Sequence, residues 1–235
     1  MELLARLAED PPSAAIFLDV DGVLAPIVAQ PKDARVPDDI RAELRRLAGR
    51  YALVACVSGR AGADAHAIVD VPELTYVGNH GLELEPAAAE WGERLAAFLA
   101  TVTWPRIENK GLTAALHYRD MDEAAARRDL DTIANRARTD GFVARYGRKV
   151  LELVPPLEAN KGTAVRQLLE KRGLGRALYA GDDTTDLDAF EESSGWSSAS
   201  ASQWPPQRAR ASSPSVPTSC SLLSLTSPAC CACSS

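Results

Sequence analysis

The chain has 235 residues, of which 46% are apolar and 25% charged, an ordinary globular composition. It leaves room for one large core or two modest ones and excludes a wholly disordered or collagen-like chain. The net charge of −6 argues against a nucleic-acid surface, so an anionic ligand would need its positive charge supplied locally, by a metal or a few Lys and Arg.

The first segment, MELLARLAEDPP, has no basic-then-apolar stretch and no small-residue cleavage site. The chain also has no run of 18 apolar residues. The expectation is a cytoplasmic protein with no membrane partner. Ala14 to Val20 (AAIFLDV) then forms a continuous apolar run that reaches a carboxylate at Asp19, the pattern of a buried parallel strand. Pro37-Asp38-Asp39 opens a helix with Ile40, Leu44 and Leu47 on one face. Tyr51 to Val57 reads as a second buried strand and Leu74 to Val77 as a short third. A helix from about Lys161 to Lys171 precedes a fourth, Ala177 to Ala180. Such alternation predicts an α/β fold, a doubly wound parallel sheet.

The middle of the chain has a different pattern. Leu95, Phe98, Leu99 and Val102 suit a helix, Thr113 to Arg119 a strand and Glu123 to Arg138 a helix. Phe142 to Tyr146 and Lys149 to Val154 suit a hairpin about Gly147-Arg148. The expected organisation is a core from residues 1–84 and 156–192, with an α+β cap at 85–155 inserted where it can cover a ligand at the sheet's C-terminal edge.

Composition breaks after Glu192. Residues 193–235 contain no Asp, Glu or Lys and are rich in Ser and Pro. They hold four of the five cysteines, while Cys56 sits alone in an apolar run and reads as a reduced core thiol. The tail is expected to be disordered or the product of a shifted reading frame, and not to complete the core sheet.

Four polar clusters stand at strand ends or helix starts. Asp19-Val20-Asp21-Gly22 puts two carboxylates where a strand enters a Gly turn. One can attack while the other moves protons, although DxDG also occurs in ordinary turns. Ser58-Gly59-Arg60 follows the second strand, where a hydroxyl and main-chain N–H groups can hold phosphate oxygens or simply cap a helix. Lys161 begins a helix, adding a cation to the field on an anion. Gly181-Asp182-Asp183-Thr184-Thr185-Asp186 places three acids within five residues, which suits a hydrated hard cation such as Mg²⁺.

In this order the clusters resemble the haloacid dehalogenase superfamily of phosphatases. The resemblance implies Asp19 as nucleophile, Asp21 as general acid and base, and Ser58 and Lys161 on the phosphate. It implies Mg²⁺ held by Asp19, the main-chain carbonyl of Asp21 and Asp182, with Asp186 and Asp183 ordering the metal shell. The runs YVGNHGLE at 76–83, Glu108-Asn109-Lys110, His117-Tyr118-Arg119, VLELVPP around Glu152, the NKG triplet and GDDTTD are similar to those of the trehalose-6-phosphate phosphatase family. That likeness covers about Ala14 to Phe190. It implies a small-molecule sugar phosphate substrate, with Glu108, Lys110 and Glu152 gripping sugar hydroxyls and Arg60, His80, His117 and Arg119 also at the substrate. A phosphatase for another sugar phosphate, and a non-catalytic binding protein, are the alternatives left open, as is the oligomeric state.

Overall fold

The computed structural model describes residues 7–28, 33–182, 199–200 and 219–224. After a 3₁₀ turn at Pro11–Ser13 come β1 (Ala14–Leu18), α1 (Asp38–Ala48), β2 (Leu53–Val57), α2 (Gly62–Val69) and β3 (Thr75–Val77). A 3₁₀ segment, Asn79–Leu84, leads into α3 (Ala88–Leu99), β4 (Ile107–Asn109), β5 (Ala114–His117), α4 (Glu123–Thr139), β6 (Val143–Gly147) and β7 (Val150–Val154). The chain then returns through α5 (Lys161–Arg172) to β8 (Arg176–Gly181), with β9 (Ala199–Ser200) and β10 (Ser219–Ser224) beyond.

Strands β3, β2, β1 and β8 lie side by side in that order and are parallel. Every residue of β1 and β2 is buried, because both faces of the sheet are covered. Ala14, Ile16 and Leu18 alternate with Val54 and Cys56 into one core that includes Leu44 of α1 and Ile68 of α2. Ala15, Phe17, Leu53, Ala55 and Val57 point the other way, against Ala164, Val165, Leu168 and Leu169 of α5. Two-sided burial is the reason these strands appear in the sequence as continuous apolar runs instead of alternating ones.

The chain leaves β1 for β2 on one side, and β8 docks on the other. The crevice beyond the C-terminal ends of β1 and β8 is therefore the place where strand order reverses, the usual ligand position in such sheets.

Strands β4, β5, β7 and β6 form a separate antiparallel sheet. One face carries Leu116, Leu151 and Leu153 against Leu95 and Phe98 of α3 and Leu130 and Ile133 of α4. Glu108, Ala115, Glu152 and Arg145 are directly paired across the four strands, so they form one row on the other face.

The expectation that nothing beyond Glu192 joins the core sheet requires correction. Ser219–Ser224 pairs antiparallel with the outer edge of β8, from Ser219↔Gly181 to Ser224↔Arg176. An open β8 edge would present a row of unpaired N–H and C=O groups, and an extended segment there satisfies them. The short strand β4 was also absent from the expected elements. Its three residues, Ile-Glu-Asn, have too little apolar pattern to stand out.

Candidate active site

Asp19 and Lys161 meet where β1 and α5 converge. Asp19 immediately follows β1, and its N–H donates to the Ala180 carbonyl of β8 at 2.9 Å. Lys161 is the first residue of α5. Asn160 caps that helix reciprocally with Thr163, its Oδ1 accepting from the Thr163 N–H at 2.8 Å. A cation at a helix N-terminus opposes the helix dipole. Here a carboxylate offsets it, because Lys161 Nζ donates to Asp19 Oδ2 at 2.6 Å, with side chains only 2% and 8% exposed. The other carboxylate oxygen, Oδ1, accepts from the Val20 N–H at 2.7 Å.

Asp21 lies two residues beyond, in the Gly22 turn. Arg60 grips it in a fork, Nε to Oδ2 and Nη2 to Oδ1, each at 2.6 Å. The Asp21 carboxylate, first by this hydrogen bonding, raises the Arg60 guanidinium further above its ordinary range. Arg60 reaches Asp21 from the turn after β2, where Ser58 is fully buried and its hydroxyl accepts from the Arg60 N–H at 3.2 Å. Beneath them, burial and then the Asp19 charge push the Cys56 thiol up to about 12. Cys56 is a free core thiol and not a nucleophile.

Asp182 follows β8, next to the Gly22 turn. Gly22 has φ +81, and a Cβ there would lie 1.8 Å from Asp182 Oδ2. Glycine is thus what lets the carboxylate come up against the β1 turn. Asp183 and Asp186 lie outside the described residues. Among the described residues, no three His, Cys, Asp or Glu side chains converge to hold a metal, and the Asp21 carboxylate is turned to Arg60. The protein's share of a cation site would be two carboxylates, Asp19 and Asp182, and the Asp21 carbonyl. This sparse, oxygen-only set fits a divalent cation that keeps several waters.

His80 stands at φ 55 in the 3₁₀ segment, packed so closely on Gly59 that a Cβ there would be 2.6 Å from its Nε2. Burial first, then the charges of Lys161 and Lys110, lowers its pKa to about 4. His80 is therefore neutral near pH 7. Arg145 of the cap lines one cavity with His80 and Asn79 of the core, and Asn79 Nδ2 donates to the Lys110 carbonyl at 3.1 Å, so this end of the cap sheet's charged row lies against the core crevice. Within that row Arg145 Nε donates to Glu152 at 3.0 Å. His117 Nε2 lies 2.9 Å from Glu108 Oε2, and Lys110 Nζ lies 3.9 Å from Glu108 Oε1.

The structure thus brings together Asp19, Asp21, Ser58, Arg60, His80, Lys161 and Asp182 of the core with Glu108, Lys110 and Glu152 of the cap. His117 joins through Glu108. Arg119 is not brought in. It is exposed in the turn after β5, at the end of the strand farther from Thr113, and each strand residue moves the chain about 3.3 Å away. Sequence reasoning missed Asn79, Glu83 and Thr113, which join cap to core. Asn79 and Glu83 lie within the YVGNHGLE run, which carried the family likeness without assigning them a role, and nothing local marked Thr113.

A cavity of about 80 Å³ lies between cap and core beside His80, Asn79 and Arg145. A larger groove, about 580 Å³, opens on the cap between α3 and α4 and touches none of the candidate residues. Chemistry and not size identifies the first as part of the site.

The trehalose-phosphatase family model matches residues 17–104 and 93–222. A trehalose-phosphate phosphatase of Mycobacterium avium is 34% identical over 198 residues, covering 75% of this chain and 50% of that protein. The chain spans about half the length of the curated relatives it matches. A crystal structure described as a trehalose-6-phosphate phosphatase related protein is 26% identical, with TM-score 0.55, covering 75% of this chain and 81% of the other. The trehalose-6-phosphate phosphatase of Aspergillus fumigatus is 25% identical, with TM-score 0.52, covering 81% and 80%.

Proposed function

The chain belongs to the trehalose-phosphatase family, and on that premise we propose that it is a Mg²⁺-dependent phosphatase hydrolysing trehalose 6-phosphate to trehalose and phosphate. The observation that carries the reading is the buried 2.6 Å pair of Asp19 and Lys161, with a second carboxylate, Asp21, two residues away.

Asp19 attacks phosphorus in line with the sugar oxygen. The new O–P bond forms as the P–O bond to the sugar breaks, and Asp21 gives its proton to the departing oxygen. The aspartyl-phosphate is then hydrolysed by a water that Asp21 deprotonates, which frees phosphate and restores the Asp19 carboxylate. Lys161 and Ser58 hold phosphoryl oxygens, and Lys161 offsets their charge where solvent is excluded. In the arrangement seen, Arg60 holds Asp21. An incoming phosphate competes for the same guanidinium, which releases Asp21 for proton transfer. Asp19, the Asp21 carbonyl and Asp182 would hold Mg²⁺, which would supply charge neutralisation at the phosphoryl group. Glu108, Lys110 and Glu152 bind the sugar hydroxyls from above, and the cap limits water during the first step.

Phosphate release from a panel of sugar phosphates tests this reading. Trehalose 6-phosphate should give the highest kcat/KM. A higher value with another sugar phosphate would reassign the substrate, and no release from any member would remove the enzyme reading.

A further inference from the structure

We propose that Asn79 is a positioning residue whose buried carboxamide fastens the turn between β4 and β5, and with it Lys110 and Glu108, to the phosphate side of the site. The role rests on the phosphatase reading above.

Asn79 is 1% exposed and uses its whole side-chain hydrogen-bonding group. Nδ2 donates to Glu83 Oε1 at 3.2 Å and to the Lys110 carbonyl at 3.1 Å. Oδ1 accepts from the Thr113 hydroxyl at 2.9 Å. Two of these partners belong to the cap and one to the core.

The core end is firmly held. The Asn79 N–H donates to the Arg60 carbonyl at 2.7 Å, and the His80 N–H to the Ser58 carbonyl at 2.9 Å. Glu83 accepts from the N–H groups of Gly62 at 2.8 Å and Gly78 at 2.9 Å. A Cβ on Gly81 would sit 2.6 Å from the Asn160 carbonyl, next to Lys161. The segment is thus locked to the loops that carry both phosphate-side groups, Ser58 and Lys161. At the cap end, the Lys110 N–H donates to the Thr113 carbonyl at 2.9 Å, so the turn that Asn79 grips is itself closed.

Few side chains could replace this amide. It supplies two donors and an acceptor from one planar group. An apolar substitute would leave the Lys110 carbonyl and the Thr113 hydroxyl without this partner, while Glu83 Oε1 would keep the Gly62 N–H. Asn79 does not reach the reacting atoms. Its effect passes through the placement of Lys110 and Glu108.

The test compares Asn79→Ala, Thr113→Val and Thr113→Ser in the full chain, on trehalose 6-phosphate and on a small aryl phosphate. Asn79→Ala should raise KM for the sugar phosphate roughly 5- to 150-fold, the equivalent of stranding one buried polar group, and leave kcat on the aryl phosphate within about twofold. Thr113→Val should move the same way by less, and Thr113→Ser, which keeps the hydroxyl, should match wild type. Amide exchange across residues 110–114 should quicken in Asn79→Ala and Thr113→Val. Equal losses on both substrates, or Thr113→Val behaving like Thr113→Ser, would overturn the role. If Asn79→Ala does not fold, the two Thr113 variants decide. If wild type cleaves the aryl phosphate and no sugar phosphate, the substrate reading fails by itself. Exchange at 110–114 then settles the fastening, and unchanged rates in Thr113→Val refute it.

Discussion

Lys161 Nζ and Asp19 Oδ2 approach to 2.6 Å from elements 142 residues apart, with hardly any solvent between them. Each charge stabilises the other at that depth. Removing one partner of a buried pair typically costs about 3–5 kcal/mol, because the survivor is left uncompensated. The closeness of the pair therefore links the chemistry to the stability of the sheet's C-terminal edge.

Asp19→Asn should lower turnover about 10⁴-fold or more, since an amide cannot form the acyl phosphate. It should also lower Tm, because Lys161 keeps a neutral acceptor at this position and loses the Asp19 charge. Phosphate release and thermal unfolding of the purified variant check both. A tenth of wild-type activity would remove Asp19 as nucleophile.

Phosphate release should stop in excess EDTA and return with Mg²⁺. Ca²⁺ should restore it only in part, being larger and looser in geometry. Full activity in chelator would contradict a metal at Asp19 and Asp182.

Gly22→Ala should impair both folding and activity. The residue has φ +81, and its Cβ would meet Asp182 Oδ2 at 1.8 Å. The left-handed conformation alone costs a non-glycine residue about 1–2 kcal/mol, and Asp182 must also move. We expect a lower Tm and a higher Mg²⁺ concentration for half-maximal activity. An unchanged Mg²⁺ requirement would mean that Asp182 is not a ligand.

His80 predicts a specific acid limb. Its pKa is about 4 in the fold, against an ordinary 6.5. A histidine with a lowered folded pKa binds its proton more readily when unfolded. Stability is therefore complete above pH 6.5 and falls as pH drops from 6.5 towards 4. The loss attributable to this group has an upper size of about 3 kcal/mol, at 1.36 kcal/mol per pH unit. His80→Asn, a residue that tolerates positive φ, should flatten the plot of Tm against pH in that window. Parallel curves for the two proteins would show that another group titrates there.

Glu152→Ala should weaken kcat/KM for trehalose 6-phosphate about 10- to 150-fold, the equivalent of a charged hydrogen bond, and spare a small aryl phosphate. Equal losses would instead make the Arg145–Glu152 pair structural.

Much of this arrangement was legible in the chain because both-face burial writes itself as unbroken apolar runs. AAIFL and LVACV are such runs, and each ends at a polar residue of the crevice. The hairpin from Val143 to Val154 was equally plain, although its turn falls at Arg148-Lys149, one residue beyond the expected Gly147-Arg148, because Gly147 still pairs with Val150. What could not be read were long-range pairings. Nothing local tells Arg60 to fork onto Asp21, 39 residues earlier. Likewise, nothing local tells Asn79 to hold Thr113, 34 residues on. The pairing of Ser219–Ser224 was hidden for a related reason. A strand that joins by main-chain bonds to an open edge needs little side-chain pattern, and this Ser-rich stretch has little.

The two sheets differ in how their strands are drawn from the chain, and this bears on the order of folding. The cap sheet and its helices come from one stretch, residues 88–154, so its pairings are short in sequence. In the core, Ile16 pairs with Leu178 across 162 positions (178 − 16). Closing so long a loop is entropically unfavourable and slow for a flexible chain. Once the cap has collapsed into its own apolar cluster, roughly two-fifths of that loop is already compact, and the flexible length left to close is shorter. The cap would thus serve first as the scaffold that delivers β8 to β1. Pulse-labelled exchange during refolding should find the amides of β5 and β7 protected before those of β1. The reverse order would show that the core sheet assembles without this help.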